Sequence, residues 1–286
     1  MSVGIIGTGA IGLPIAKRIL SGGFSLNFYA RKENVCNELC ECGAKSFEDP
    51  ESLGSECDTV FIFVNTFEQC EECVSKLLKT MCGGIIVIGA TISPEQMEYL
   101  DKICREKSVK TIAAPVTGGV KGAIEGTLTI ILSGNKNDVD AVSEYTKTFG
   151  KNLYFLGEKI GFAHTMKALV QLLVGINTVA TAEALILGQK NGLEPQQIYD
   201  VISNSAGTSR IFENRACTMI KGDFTKRGTI NILQKDLKIS KKMAMDSNVP
   251  LVLGDVCSRL FNVGANVLDG EEDFSAIIKL LDGSVK

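Results

Sequence analysis

The stretch VGIIGTGAIGLPIA, residues 3–16, restricts the fold of this 286-residue chain more than any other part of it. An Ile-rich apolar run is followed by glycines at positions 7, 9 and 12, and then by a second apolar run that reads as helix. A strand that turns through G-x-G-x-x-G directly into a helix has a specific physical use. The first glycine permits the tight turn, the second lets a pyrophosphate approach the backbone, and the third lets helix pack closely on strand. The unpaired N–H groups and positive dipole end of that helix then face the phosphates. Gly7, Gly9 and Gly12, with Ala10 and Ile11 inside the loop, are therefore expected to bind a dinucleotide. The alternative is a tight strand-to-helix turn that holds nothing.

The residues that follow repeat the alternation. Ile- and Val-rich runs at 2–6, 25–30, 59–64, 84–89 and 109–115 predict parallel strands buried on both faces. Helical stretches lie between them at Ile11–Leu20, Cys70–Lys79 and Pro94–Lys107, the last opening with Ser93 as N-cap and Pro94 at the first helical position. Runs at 127–134 and 152–157 can extend the series. The pattern predicts an α/β Rossmann-type doubly wound parallel sheet. After Gly157 the strand pattern stops. Residues 159–190 read as one long helix, apolar around most of its circumference, and further helices are expected at 195–204, 209–221, 229–247 and 250–268. The chain thus divides into a dinucleotide-binding domain, 1–157, and an all-α C-terminal domain, 158–286, for substrate binding and dimerisation, joined by a long interdomain helix.

Composition narrows the partners. A net charge of −3 without any block of like charges gives no reason to expect nucleic acid or an anionic membrane surface. The longest apolar stretch, 168–188, carries Gln171, Asn177, Thr178, Thr181 and Glu183, which favours a helix buried between domains over a membrane span. The first strand begins almost at Met1, leaving no room for a signal peptide, so a cytoplasmic location is expected. Eight of the ten cysteines fall between Cys36 and Cys104. Cys70 and Cys73 have CxxC spacing, but Glu71 and Glu72 between them would raise thiol pKa values, and no second CxxC completes a zinc site. Reduced, mostly buried cysteines without a metal are the expectation.

The end of the second strand, NFYARKEN, should specify the cofactor. NAD-preferring sites usually carry a carboxylate there for the ribose 2′-hydroxyl. Here Ala30 is followed by Arg31 and Lys32, and two cations in place of a carboxylate suit a 2′-phosphate. NADP(H) is favoured and NAD(H) is the alternative; the competing reading is a solvated basic turn partly neutralised by Glu33.

A second glycine-rich stretch, APVTGGVKGAIEGTLTI at 114–130, sits about a hundred residues after the first. Thr117 offers a hydroxyl, and Gly118 and Gly119 expose backbone N–H groups without obstruction, so the turn can cradle a carboxylate. By itself it reads equally well as a plain connection between strands. Lys167 falls in the first turns of the long helix, with His164 three residues before it and Gln171 four after, all on one helical face. A lysine on an otherwise apolar helix is costly unless paired or open to a cleft, and desolvation lowers a lysine's pKa into the range for proton transfer. Read alone, a surface lysine laying its stem along the helix is the competing explanation.

The segments GIIGTGAIGLPIAKRIL, APVTGGVKGAIEGTLTI, GFAHTMKALVQLL, QKDLKIS and DFSAIIKLL occur in the order typical of the β-hydroxyacid dehydrogenases, which include the 3-hydroxyisobutyrate dehydrogenases. The resemblance covers nearly the whole chain. It implies an NAD(P)-dependent oxidoreductase that interconverts a small β-hydroxy acid and its semialdehyde or keto acid. It also implies that Lys167 is the catalytic acid–base, that Thr117, Gly118 and Gly119 grip the substrate carboxylate, and that His164 and Gln171 contact substrate. Val64, Asn65, Thr91 and Lys235 are implied to line the cofactor. The chain departs from the family's usual residues at Thr117 (serine), Gln171 (asparagine), Ala90 (serine) and Val64-Asn65 (Leu-Pro). Where many members have a phenylalanine it has Gly228, after Arg227.

The segment 211–237, with FENR and GDFTKR, resembles the L-threonate dehydrogenase branch of that family. Arg227, with Arg215 and Asn214 near it, would suit a polar, polyhydroxylated or doubly acidic substrate. The family resemblance and the apolar long helix imply a homodimer or homotetramer. Two other readings remain: a dinucleotide-binding sensor without turnover, which the retained lysine disfavours, and an imine reductase, a related group that usually has Asp or Tyr at the position of Lys167.

Overall fold

The computed structural model describes residues 2–284. The chain divides into two compact units after Lys167. The first runs β1 (Val3–Ile6), α1 (Gly12–Ser21), β2 (Leu26–Tyr29), α2 (Glu33–Glu41), β3 (Lys45–Phe47), α3 (Pro50–Gly54), β4 (Thr59–Ile62), α4 (Phe67–Leu77), β5 (Ile85–Ile88) and α5 (Pro94–Arg105). It continues with β6 (Lys110–Ala113), β7 (Val116–Thr117), α6 (Gly119–Glu125), β8 (Leu128–Gly134), α7 (Lys136–Ala141), α8 (Ser143–Phe149) and β9 (Gly150–Phe155). Helix α9 (Phe162–Lys190) begins in this unit.

Strands β3-β2-β1-β4-β5-β6 lie side by side in that order and all parallel. The chain winds outward from β1 to one edge, returns, and adds β4 on the other side, so the order reverses between β1 and β4. In open α/β sheets ligands bind at that reversal, beyond the carboxyl ends of the strands. Strands β1, β4 and β5 are buried along their whole length, as uninterrupted apolar runs require. Phe28, Phe61 and Phe149 are fully buried in the core, where the Phe61 ring meets Phe149 edge-on at 5.9 Å. The helix starts follow their caps. Ser93 and Gln96 form a reciprocal capping box at α5, and Thr66 caps α4.

Beyond β6 the sheet departs from the expected all-parallel form. β8 runs antiparallel to β6 and to β7, while β9 is parallel to β8. One register covers both antiparallel pairings: Ile112 faces Gly134, Ala113 faces Ser133, Val116 faces Ile130 and Thr117 faces Thr129. β7 therefore continues the line of β6 along the same edge of β8. Pro115, which has no N–H to give to a ladder, interrupts it, although its carbonyl still accepts from Ile131 at 3.0 Å. β3 is the other strand the apolar pattern did not indicate; it is a three-residue, largely exposed edge.

The second unit is helical: the rest of α9, then α10 (Pro195–Ser203), α11 (Arg210–Lys221), α12 (Ile230–Asp246), α13 (Val252–Val267), a 3₁₀ turn at Phe274–Ile277 and α14 (Ile278–Leu281). α9 is long and apolar enough to cross a membrane by length and composition alone. Some of its polar groups are engaged within the protein. Gln171 donates to Asp236 at 2.7 Å, and the Ala168 carbonyl accepts from Ser240 at 2.9 Å. Thr178 and Thr181 bond back to the carbonyls of Val174 and Asn177. Its inner face packs Val179 with Leu233, Leu237 and Phe261.

Candidate functional site

The first glycine loop leaves β1 at the sheet's reversal point, and its three glycines are glycines for different reasons. Gly7 has φ +90°, and a Cβ there would lie 2.4 Å from the carbonyl oxygen of Phe63. A Cβ on Gly12 would lie 2.0 Å from the Gly7 oxygen. At Gly9 a Cβ would meet nothing within 4 Å. Two positions are closed by the protein's own backbone and the middle one opens on free space. The start of α1 has no side-chain cap at Ile11 and no acidic residue in its first turn. That is the setting a pyrophosphate needs, a cradle of backbone N–H groups at a helix's positive end. The residues present fit a dinucleotide.

Val64 and Asn65 follow β4, against Gly7, whose added Cβ would lie 3.0 Å from the Val64 nitrogen. The Asn65 N–H donates to Gln69 at 3.1 Å, which fixes this loop at the mouth of the site. At the end of β2, Arg31 and Lys32 are exposed, and neither joins an ion pair among the described residues. Glu33 occupies the first turn of α2. Close by, the Cys36 thiol contacts the Ala30 carbonyl at 3.5 Å.

The cysteines are all reduced, but fewer are buried than expected. Cys57, Cys70, Cys73, Cys104 and Cys257 are buried, whereas Cys40, Cys42 and Cys82 are exposed. Burial pushes the Cys73 thiol up to about 11, with the Glu72 carboxylate second, and pushes Cys104 up to about 12. Cys70 is raised by burial and then by its cysteine neighbours. Desolvation, more than the two glutamates, disarms this CxxC.

The second glycine loop lies at the end of the β6–β7 line. Thr117 is paired in the sheet, Gly118 follows with φ +128°, and Gly119 opens α6 with φ +66° and no atom within 4 Å of an added Cβ. Both glycines are exposed. A side chain at either would be strained by the backbone, and at Gly119 it would also occupy open space. The helices that the two loops introduce pack together, with Ala123 of α6 in the same apolar core as Ile15 and Ile19 of α1. Beneath them the Arg18 guanidinium lies 2.8 Å from where a Cβ on Gly126 would stand.

Lys167 and His164 lie in the first turns of α9, and both are buried, at 6% and 1% exposure. His164 Nε2 is 3.1 Å from the Ala90 carbonyl, immediately before Thr91 at the end of β5. Ser133 of β8 anchors the same helix start, donating to the Ile160 carbonyl at 2.6 Å and accepting from the Ala163 N–H at 3.0 Å. Thr91 is half-buried. The loop before it is shaped by Phe63, whose ring would be 2.1 Å from a Cβ on Gly89. No sequence signal marked Phe63, Gly89 or Ser133 as parts of the site's frame.

Gln171 and Lys235 belong to the second unit, where Asp236, only 2% exposed, holds both. Gln171 Nε2 donates to one carboxylate oxygen at 2.7 Å, and Lys235 Nζ lies 2.7 Å from the other. Asp236 lies in the QKDLKIS segment, where a carboxylate on a helix carries no local signal of this role. The cations suggested for an acidic substrate are already engaged. Arg227 pairs with Asp223 at 2.5 Å, and Arg215 lies 3.2 Å from the fully buried Asp273. Asn214 donates to the Arg210 carbonyl at 2.7 Å. Asp273 also accepts from Ser275 and from the Gly228 N–H, so the DFS motif works as a clasp on the loop before α12. Among the described residues no group of three or more His, Cys, Asp or Glu could hold a metal ion.

Residues 2–157 match the profile of the NAD binding domain of 6-phosphogluconate dehydrogenase. Residues 161–281 match that described as NAD-binding of NADP-dependent 3-hydroxyisobutyrate dehydrogenase. The chain is 32% identical to the L-threonate dehydrogenase of Cupriavidus necator over 99% of its length and 96% of that protein's. It is 30% identical to the 2-(hydroxymethyl)glutarate dehydrogenase of Eubacterium barkeri, covering 98% of this chain and 94% of that one. The crystal structure of a 3-hydroxyisobutyrate dehydrogenase from Salmonella typhimurium superposes with a TM-score of 0.92 at 28% identity, covering 98% and 99% of the two chains.

Proposed function

The chain belongs to the β-hydroxyacid dehydrogenase family, and on that premise we propose that Lys167 is its general acid–base and Thr117–Gly119 its carboxylate cradle. The protein is an NAD(P)-dependent oxidoreductase acting on the CH–OH group of a small hydroxy acid. Bound at the first glycine loop, the nicotinamide dinucleotide supplies or takes up a hydride. Lys167 Nζ accepts the hydroxyl proton in oxidation and returns it to the carbonyl oxygen in reduction. Thr117, Gly118 and Gly119 hold the carboxylate so that the carbinol carbon is presented in one orientation. His164 and Gln171 are assigned to the substrate side. Gly7, Gly9, Ala10, Ile11, Gly12, Val64, Asn65, Thr91 and Lys235 are assigned to the cofactor.

The observation that carries this reading is a lysine buried to 6% exposure on a helix turn that is itself anchored to the end of β5. Two exposed cations at Arg31 and Lys32, without ion-pair partners among the described residues, support NADP(H) as the preferred cofactor. The similarity to L-threonate dehydrogenases supports a polyhydroxylated acid as substrate. We place the domain boundary at 157/158, between the two matched segments. Leu169, Leu173 and Leu187 on α9, exposed at 46%, 59% and 67%, support a homodimer or homotetramer.

The test is absorbance at the reduced-nicotinamide band with NADP⁺ and NAD⁺ across threonate, glycerate, 3-hydroxyisobutyrate and 4-hydroxybutyrate. Lys167→Ala should lower turnover by a factor on the order of a hundred or more while dinucleotide affinity is unchanged. Unchanged turnover in that variant removes Lys167 from the chemistry.

A further inference from the structure

We propose that His164 is a positioning residue: its ring holds the turn that carries Lys167 in register with the Ala90–Thr91 segment at the end of β5. The inference rests on the reading of Lys167 given above and adds a role to a side chain assigned only to the substrate side.

His164 is the chain's only histidine and is 1% exposed. Its Nε2 lies 3.1 Å from the Ala90 carbonyl oxygen. A carbonyl only accepts, so Nε2 carries the proton and donates, whether the ring is neutral or charged. The Ala90 peptide is held from the other side too: its N–H and that of Gly89 donate to the Ile62 carbonyl of β4, at 3.1 and 2.9 Å. Ala90 is thus tied to β4 through its nitrogen and to α9 through its oxygen. The Phe63 ring beside Gly89 leaves this segment no room to move inward.

The start of α9 has its own anchors. Ser133 bridges Ile160 and Ala163, and Gly161 packs where an added Cβ would be 3.2 Å from Pro94 Cβ. These contacts fix where the helix begins. They bear on its first residues. His164 supplies the next contact along, to the end of β5, and Lys167, three residues on, shares its face. The bond therefore constrains the direction from which Lys167 leaves the helix relative to Thr91. An error of about 1 Å in such a placement costs on the order of a hundredfold in rate.

The competing explanation is a core histidine that fills space and bonds whatever is near. Three variants and one spectrum separate the two. His164→Leu keeps the volume and removes the donor, while His164→Gln restores an N–H at similar reach. His164→Leu should lower kcat on the order of ten- to a hundredfold, with dinucleotide affinity (by fluorescence titration) within about twofold. Amide exchange at residues 90 and 91 should speed up in His164→Leu and return towards wild type in His164→Gln, with kcat following. In tag-free ¹⁵N-labelled protein the single imidazole should show a protonated Nε2. A ring protonated only at Nδ1, a folded His164→Leu with wild-type kcat, or a His164→Gln no better than His164→Leu would each overturn the proposal. If His164→Leu does not fold, the tautomer and His164→Gln decide it. Lys167→Ala, assayed alongside, tests the underlying reading separately: turnover there sinks the lysine assignment, whereas its loss with an unaffected His164→Leu sinks only the positioning role.

Discussion

The two glycine loops of the first unit resemble each other in sequence and differ in what makes them glycine. In the first, Gly7 and Gly12 are closed by contact, since an added Cβ at either would strike backbone oxygen at 2.4 or 2.0 Å (Gly7 has φ +90° besides), and only Gly9 faces open space. In the second, Gly118 and Gly119 are set by backbone conformation, with φ +128° and +66°, and an added Cβ would meet at most the side of Leu128 at 3.1 Å. The first loop is a rigid junction with one opening, suited to a large ligand always held in the same way. The second is an exposed turn at the end of a strand. Glycine count alone would have treated them as equals.

Substitutions can break or sharpen that contrast. The largest effect should come from Gly12→Ala, which must push α1 off β1: thermal unfolding should fall by on the order of 5 °C or more, and dinucleotide binding should be lost. If that variant folds and binds normally, the first loop is not a contact-limited junction. Gly9→Ala should leave the melting temperature within about 2 °C but weaken the dinucleotide by on the order of a hundredfold, because the methyl group enters only the ligand's space. Next comes Arg31→Ala combined with Lys32→Ala. NADP⁺ affinity should drop on the order of tenfold, measured by titration, while NAD⁺ affinity and the KM for the acid stay put. The smallest effect belongs to Gly119→Ala, where the left-handed backbone costs about 1 kcal/mol and the acid's KM rises several-fold with dinucleotide affinity unchanged. A change in dinucleotide affinity there would mean that the two loops do not serve separate ligands.

Much of the fold was legible because it is written locally. The runs at 59–64 and 84–89 are apolar throughout, and they became β4 and β5; Ser93-Pro94 marked the start of α5. β3 escaped because a short exposed edge carries no apolar run, and β7 because Pro115 hides that its residues continue the β6 line. The candidate site was half legible. Gly7, Gly9, Gly12, Thr117 and Lys167 announce themselves by spacing or by chemical oddity. Asp236, Ser133 and Phe63 do not, since a carboxylate on a helix, a serine in a strand and a phenylalanine after one are ordinary until their neighbours are known.

The order of elements, the phosphate-type turn and the lysine-bearing helix were determined by the sequence alone, since periodicity, caps and glycine spacing act within a window of a few residues. Only tertiary structure decided that His164 bonds Ala90 across 74 positions and that Gln171 bonds Asp236 across 65. It also decided that Phe63 abuts Gly7 with its backbone and Gly89 with its ring. Such contacts depend on where the chain returns in space, and a hydrogen bond or a packed ring leaves no local pattern by which its distant partner can be found.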